Sequence, residues 1–270
     1  MRNIARFVLV AAVALTAAAQ PTHEKILIPV FFSGPGAHGS EWWTTVSAYA
    51  QADGDGTTPL VFSRAVLEGD PQCPAVCGCD GSAEVQPGTV KNVCILNANP
   101  AGLLLYRDKN GADVQFSARV ADLSRSVETA GTELKIVRER ELRRINIVFP
   151  SVPIGPGYRV GLRLFDTSNT QNPEVGLRIY RHTGRGTPVV EETIPLNVSP
   201  DLADPRPAHP SFAMIADLAA RYPQLKDHGV ILIELLLPEA DVSPVPAPSY
   251  WAVVTITNNV TQQVTMVTPQ

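Results

Sequence analysis

Basic residues are in short supply in this chain: 22 Lys and Arg stand against 26 Asp and Glu. With an N-terminal signal carrying Arg2 and Arg6 removed, 20 remain against 26, a net charge of −6. That balance lacks the positive footprint with which nucleic-acid binders hold phosphates, so no nucleic acid is expected as a partner. Beyond the N-terminus no apolar run approaches the roughly 20 residues a bilayer-spanning helix needs, so no membrane span is expected in the mature chain. The 24 prolines oppose long helices. Catalytic signatures are missing too: the five histidines, His23, His38, His182, His209 and His228, form no H-E-x-x-H or other metal spacing, and no G-x-S-x-G elbow exists.

What is present begins with an export signal. Arg2 and Arg6 precede the apolar run Phe7 to Leu15, and Ala17-Ala18-Ala19 supplies small residues for a signal peptidase, so residues 1–19 read as a cleaved signal peptide. No Cys comes after the apolar run, so no lipid anchor is expected. The mature protein is expected to be secreted, periplasmic or at the cell surface. Hydrophobic residues at 44% supply a core for one large domain or two modest ones.

A repeated pattern favours two. Ile26, Ile28 and Val30 alternate ahead of Gly34-Pro35-Gly36; Ile145, Ile147 and Phe149 precede Gly155-Pro156-Gly157. Farther on, Gly102 to Tyr106 (GLLLY) echoes Gly229 to Ile233 (GVILI), and Phe116 to Ser124 echoes Tyr250 to Asn258. These runs are short, alternating or apolar, and bounded by Gly, Pro, Asp and Asn, as in antiparallel strands. Along Arg159 to Phe165, Val160, Leu162 and Leu164 would share one face while Arg159, Gly161 and Arg163 share the other. One helix is expected, capped by Ser211, with Phe212, Ile215, Leu218, Ala219 and Tyr222 on one stripe and Pro223 as its stop. The Pro-rich stretch Asp201 to Pro210 is expected to run over the surface. The expected organisation is an all-β fold of two tandem antiparallel β-sandwiches: residues 20–130 with a Cys-containing insertion at 70–95, a linker or strand at 131–142, and residues 143–270. In that joint the basic residues interleave with Glu139 and Glu141, which reads as a solvated face rather than an anion site.

The segments ILIPVFFSGPGAHGSEWWTTVSAY, RRINIVFP with YRVGLRLFD, and YWAVVTITNNVTQQVTMVTPQ resemble uncharacterised bacterial secreted proteins with tandem immunoglobulin-like β-sandwich domains. The resemblance spans most of the mature chain. It implies fold and export and brings no catalytic residues.

Four cysteines, Cys73, Cys77, Cys79 and Cys94, fall in the first half. Export makes disulfides the default. A Cys77–Cys79 bridge would close a strained ring, which favours Cys94 with Cys77 or Cys79 and leaves the pairing open. A four-thiolate zinc site is disfavoured, since two C-x-x-C knuckles are absent. Gly34, Gly36 and Gly39 match G-x-G-x-x-G, but Trp42 to Tyr49 beyond them reads as strand, Pro35 removes a donor, and the second copy lacks the third glycine, so a structural turn is expected. No cofactor is expected; Asp53 and Asp55, or Asp108, Asn110 and Asp113, could offer oxygens to calcium, although both sets read first as hairpin turns.

Catalysis finds little support. His38 and Ser40 lie in a glycine-rich loop, and Glu191 and Glu192 would point to opposite faces of a strand. The consecutive aromatics Trp42-Trp43 and Tyr250-Trp251 carry the binding argument: on a strand one of each pair would face solvent, where it could stack on a sugar or anchor a protein at the cell exterior. The competing role for the same residues is to cover sandwich edges or the contact between domains. The expected function is a non-catalytic exported interaction or structural module, with a carbohydrate-binding module or a secreted hydrolase as alternatives.

Overall fold

Alternation with a period of two dictates strands whose alternate side chains enter a core, and most of the chain forms such strands. The computed structural model describes residues 23–30, 33–35, 41–51, 58–61, 82–93, 102–110, 113–124, 131–168, 170–181, 186–200, 202–203, 206–238, 249–261 and 263–269. The first half holds β1 (His23–Ile28), β2 (Ser33–Pro35), β3 (Glu41–Ala50), β4 (Thr58–Val61), β5 (Ser82–Val85), β6 (Val90–Val93), β7 (Leu103–Asp108), β8 (Val114–Asp122), β9 (Thr132–Leu134) and β10 (Val137–Arg138). The second holds β11 (Ile147–Pro153), β12 (Tyr158–Asp166), β13 (Glu174–Arg181), β14 (Val190–Pro195), β15 (Ser211–Ile215), the short helix α1 (Leu218–Arg221), β16 (Val230–Leu236), β17 (Tyr250–Asn258) and β18 (Val264–Val267). Among the described residues no helix is long and apolar enough to cross a membrane.

The strands form four antiparallel sheets. In the second half the orders are β11-β16-β13-β14 and β15-β12-β17-β18. Lettering β11, β12, β13, β16, β17 and β18 in chain order from B to G gives B-E-D and C-F-G, the pairing of an immunoglobulin-type sandwich. β14 and β15 extend two of its edges. The first half repeats this pairing strand for strand: β1-β7-β4-β5 in one sheet, and in the other β3 between β6 and β8, with β9 beyond β8. Matched glycines share their backbone angles as well: φ is 145° at Gly34 and 146° at Gly155, and 79° at Gly102 and 66° at Gly229.

β9 and β10 lie between the two patterns. β9 pairs with β8, while β10 pairs with β1 through Ile26–Arg138 and Leu27–Val137, in the place a strand A would take. Glu24 secures this edge. Its carboxylate accepts from Arg138 Nε at 2.8 Å and Nη2 at 2.7 Å, and from Arg107 Nε at 3.1 Å.

Each sandwich has its own core. Ile26, Ile28, Leu103 and Leu105 meet Val46, Ala48, Val114 and Ala118 in the first half; Phe149, Leu177, Ile179 and Ile233 meet Val160, Leu162, Ala252 and Val254 in the second. A third cluster joins the halves: Leu27, Leu104, Tyr106 and Val137 pack against Phe165, Trp251 and Val253. The four sheets therefore stack in layers, and the two inner ones, β10-β1-β7-β4-β5 and β15-β12-β17-β18, are covered on both faces where they meet. This explains why Leu103 to Tyr106 and Tyr250 to Val254 are buried without interruption.

Two sequence expectations are corrected. The helical stripe from Phe212 to Tyr222 divides: Ser211–Ile215 pairs with β12, and the helix starts only after Asp217, whose carboxylate accepts the Ala219 N–H at 3.0 Å. Ser211 is buried and its hydroxyl accepts the Ser199 N–H at 3.0 Å, so it caps no helix. The Pro-rich stretch also ends inside rather than on the surface. Pro207, Ala208, His209 and Pro210 are buried against the first half, because the Ala208 carbonyl accepts the Leu104 N–H at 2.7 Å and the Tyr106 hydroxyl donates to the Pro207 carbonyl at 3.0 Å.

Candidate functional site

Strand register fixes the outer face of the inner sheet β15-β12-β17-β18. Arg163 lies between Met214 and Val253, Gly161 beside Thr255 and then Met266, and Arg159 beside Thr257 and then Val264. The Phe165 and Trp251 end of this face is covered by the first half. Toward the other end the sandwiches diverge, and the gap is a cavity of about 370 Å³. Its floor is the Arg159–Gly161–Arg163 side of β12, and its opposite wall comes from Val30, Trp42, Val120 and Leu134 of the first half. Cavities of this size hold small ligands.

The walls are apolar, and the charge in them has one sign. Arg159 and Arg163 line the cavity, and no Asp, Glu or His does among the described residues. Neither guanidinium makes a hydrogen bond or ion pair with a described residue. Burial pushes the Arg163 guanidinium below its ordinary pKa, because the charged form loses hydration without gaining a counter-charge. Gly161 keeps the floor low: a Cβ there would stand 2.7 Å from Thr255 Oγ1 and 3.3 Å from the Ala216 carbonyl oxygen. Thr255 and Thr257 add hydroxyls next to the arginines.

The aromatic residues separate. Trp42 is half-buried and lines the cavity, while Trp43 is 49% exposed on the outer face of β3. Tyr250 and Trp251 do not repeat that geometry. Both are 2% exposed, since β17 has a core on each side: Tyr250 faces the second sandwich and Trp251 the contact between halves. They present no surface to a ligand.

Of the possible calcium ligands, Asp53 and Asp55 lie outside the described residues. Asp108 Oδ1 accepts the Asn110 N–H at 2.9 Å, a turn contact, and Asp113 faces two cations, Arg107 at 3.3 Å and Arg138 at 3.6 Å. Among the described residues no three His, Cys, Asp or Glu are grouped to hold a metal ion. Cys73, Cys77, Cys79, Cys94, His38, Ser40, Gly36 and Gly39 also fall outside them. Gly34 lies in β2 opposite Trp42. Glu191 pairs with Arg178 at 2.7 Å on one face of β14; Glu192 on the other accepts from Arg221 at 2.9 Å and from the Tyr222 hydroxyl. His209 is buried with Nδ1 at 3.2 Å from the Gly102 carbonyl oxygen.

Sequence reasoning places Arg159, Gly161 and Arg163 on one face of one strand and assigns them no role. The available signal is the Arg-x-Gly-x-Arg alternation opposite a wholly apolar face, which puts two cations on a side that solvent alone has no reason to select.

No family model matches the chain, and no curated protein matches it. Among solved structures, a chain of the T13 IBDV viral particle is 11% identical, with 86% of this chain and 64% of that one covered and a TM-score of 0.19. This chain thus spans under two thirds of that protein's length, and a likeness at this score carries no argument about fold or function.

Proposed function

We propose that this chain is a non-catalytic, exported interaction module that recognises its ligand in the cavity between its two sandwiches. The observation carrying this reading is the exclusively cationic character of an apolar cavity: two guanidiniums, no acidic partner among the described residues, and a half-buried tryptophan on the facing wall. Burial of a charge costs free energy unless a partner satisfies it, so such a wall is complementary to something from outside the chain. The lining offers no carboxylate or imidazole for acid–base work, which favours binding over turnover. Export rests on the N-terminal pattern of Arg2, Arg6 and the apolar run after them.

Equilibrium dialysis of the full chain against a chemically diverse panel of small molecules and glycans tests this, with Thr255→Trp as a cavity-filling variant. Bound compounds should be recovered unchanged, and the variant should lose them. Chemical alteration of a bound compound, or retention of every hit by the variant, would falsify the reading.

A carbohydrate-binding role is the second reading, favoured by Trp43, whose 49% exposure leaves a ring face available for stacking. Glycans whose binding is lost in Trp43→Ala and kept in Thr255→Trp would move recognition to that outer face.

A further inference from the structure

Resting on the cavity as the binding site, we propose that its ligand is a small amphipathic monocarboxylate, the carboxylate on the Arg163 guanidinium and the apolar body along Met214, Val264 and Met266.

Three observations select this class. The first is charge. Arg163 stands at the covered end of the Arg159–Gly161–Arg163 row with no counter-ion among the described residues, and Arg159 lies four residues away along the same face, roughly 13 Å at about 3.3 Å per residue. A guanidinium fork matches the two oxygens of a carboxylate, so one arginine satisfies the group completely. Arg159 adds a second positive potential that steers the anion inward.

The second is the shortage of other donors. Beyond the two arginines the side chains of the described floor and walls offer the Thr132, Thr255 and Thr257 hydroxyls and the Trp42 indole N–H. A phosphate or sulfate monoester presents three terminal oxygens and would surrender more hydration than this lining replaces. A polyol would likewise leave hydroxyls unpaired against Val and Met side chains.

The third is the shape of the apolar part. Met214 and Met266 flank the arginine and glycine rows from the strands on either side of the β12–β17 pair. Methionine is unbranched and polarizable, so it moulds to a flexible chain better than β-branched neighbours do. Met214 is 43% exposed, apolar surface that an alkyl or aryl group would cover.

Titration calorimetry of the full chain with octanoate and with octanol, at equal ionic strength, tests the class without any variant. Octanoate should bind about ten-fold or more tightly than octanol, a margin that shrinks as salt is raised. Arg163→Gln should bring octanoate down to the octanol level and leave octanol unchanged, with near-UV circular dichroism confirming that the variant is folded. Arg159→Gln should cost octanoate a smaller factor. Equal affinity for the acid and the alcohol overturns the proposal, as does octanoate binding that Arg163→Gln leaves intact. If octanoate fails while other panel compounds bind and are lost in Thr255→Trp, the class is wrong and the cavity remains the site; if nothing binds, the site itself is wrong.

Discussion

Lys25 of β1 donates its ammonium to the backbone carbonyl of Thr167, across the boundary between the two halves. Burial lowers its pKa, and the charges of Glu139 and Asp166 work against that shift. The neighbouring Asp166 is fully buried, with Oδ1 accepting the Ser168 N–H at 2.8 Å and Oδ2 without a hydrogen-bond partner among the described residues. Lys25→Met should therefore destabilise the chain by about 1–3 kcal/mol, because it strands the Thr167 carbonyl and takes a cation from a buried carboxylate. Urea denaturation at neutral pH measures this; an unchanged midpoint would mean the contact contributes nothing.

Trp251 closes the contact between the halves, with the Lys135 ammonium 5.4 Å from its ring centroid. Trp251→Ala should cost about 3–5 kcal/mol, the usual loss on emptying a packed aromatic site. In the wild type, circular dichroism and tryptophan fluorescence should report one coincident unfolding transition. Two transitions that remain separate in the wild type would show that the halves fold independently.

Gly102 and Gly229 occupy matched positions, yet their substitutions should differ. A Cβ at Gly102 would stand 2.7 Å from the Ile28 carbonyl oxygen and 3.3 Å from Phe165 Cε1, whereas at Gly229 it would meet nothing within 4 Å. Both residues have positive φ, so each alanine carries a conformational cost of about 1 kcal/mol. Gly102→Ala should add a steric cost of about 1–3 kcal/mol through displacement of β1 or Phe165. Thermal melts of the two variants, run in parallel, should show the larger loss at Gly102, and equal losses would contradict the close approach.

Tyr250 provides a pH test. Burial, reinforced by the Asp166 charge, pushes its phenol up to about 12. A free tyrosine titrates near 10. The unfolded chain therefore loses this proton first, and the stabilisation is full below about pH 10 and lost as pH rises toward 12. Wild-type stability should fall across that window by on the order of 2 kcal/mol more than that of Tyr250→Phe. Parallel slopes for the two proteins would rule the linkage out.

The sandwich cores are legible in the sequence because their strands alternate: Val160, Leu162 and Leu164 read directly as one buried face, and they are buried. The second buried face is not. Leu27, Leu104 and Trp251 sit at alternate positions that solvent would ordinarily claim, and nothing within those strands says that another sheet lies over them. The residues from Phe212 to Tyr222 mislead for a different reason. A strand with Ala213 and Ile215 buried runs into a single helical turn with Leu218 and Ala219 buried, and the junction mimics a continuous helical stripe. Arg159 and Arg163 are visible as an outward pair; that the outward side is roofed by Trp42 and Val120 is a property of the pairing between halves.

That pairing is heterologous. The first half offers the sheet built on β1 and β7, while the second offers β12 and β17, whose counterparts in the first half are β3 and β8 on its far side. Two equivalent units joined through non-equivalent faces define a screw that a third unit could extend without limit. The two terminal faces are polar for the most part: one displays Gln115, Ser117 and Arg119 to solvent along with Trp43, the other carries the Arg178–Glu191 pair and the Tyr180–Glu234 hydrogen bond. Polar end faces of this kind are how stacked repeats stay soluble. The two halves are in this sense the shortest stretch of such a series, two units stacked head to tail.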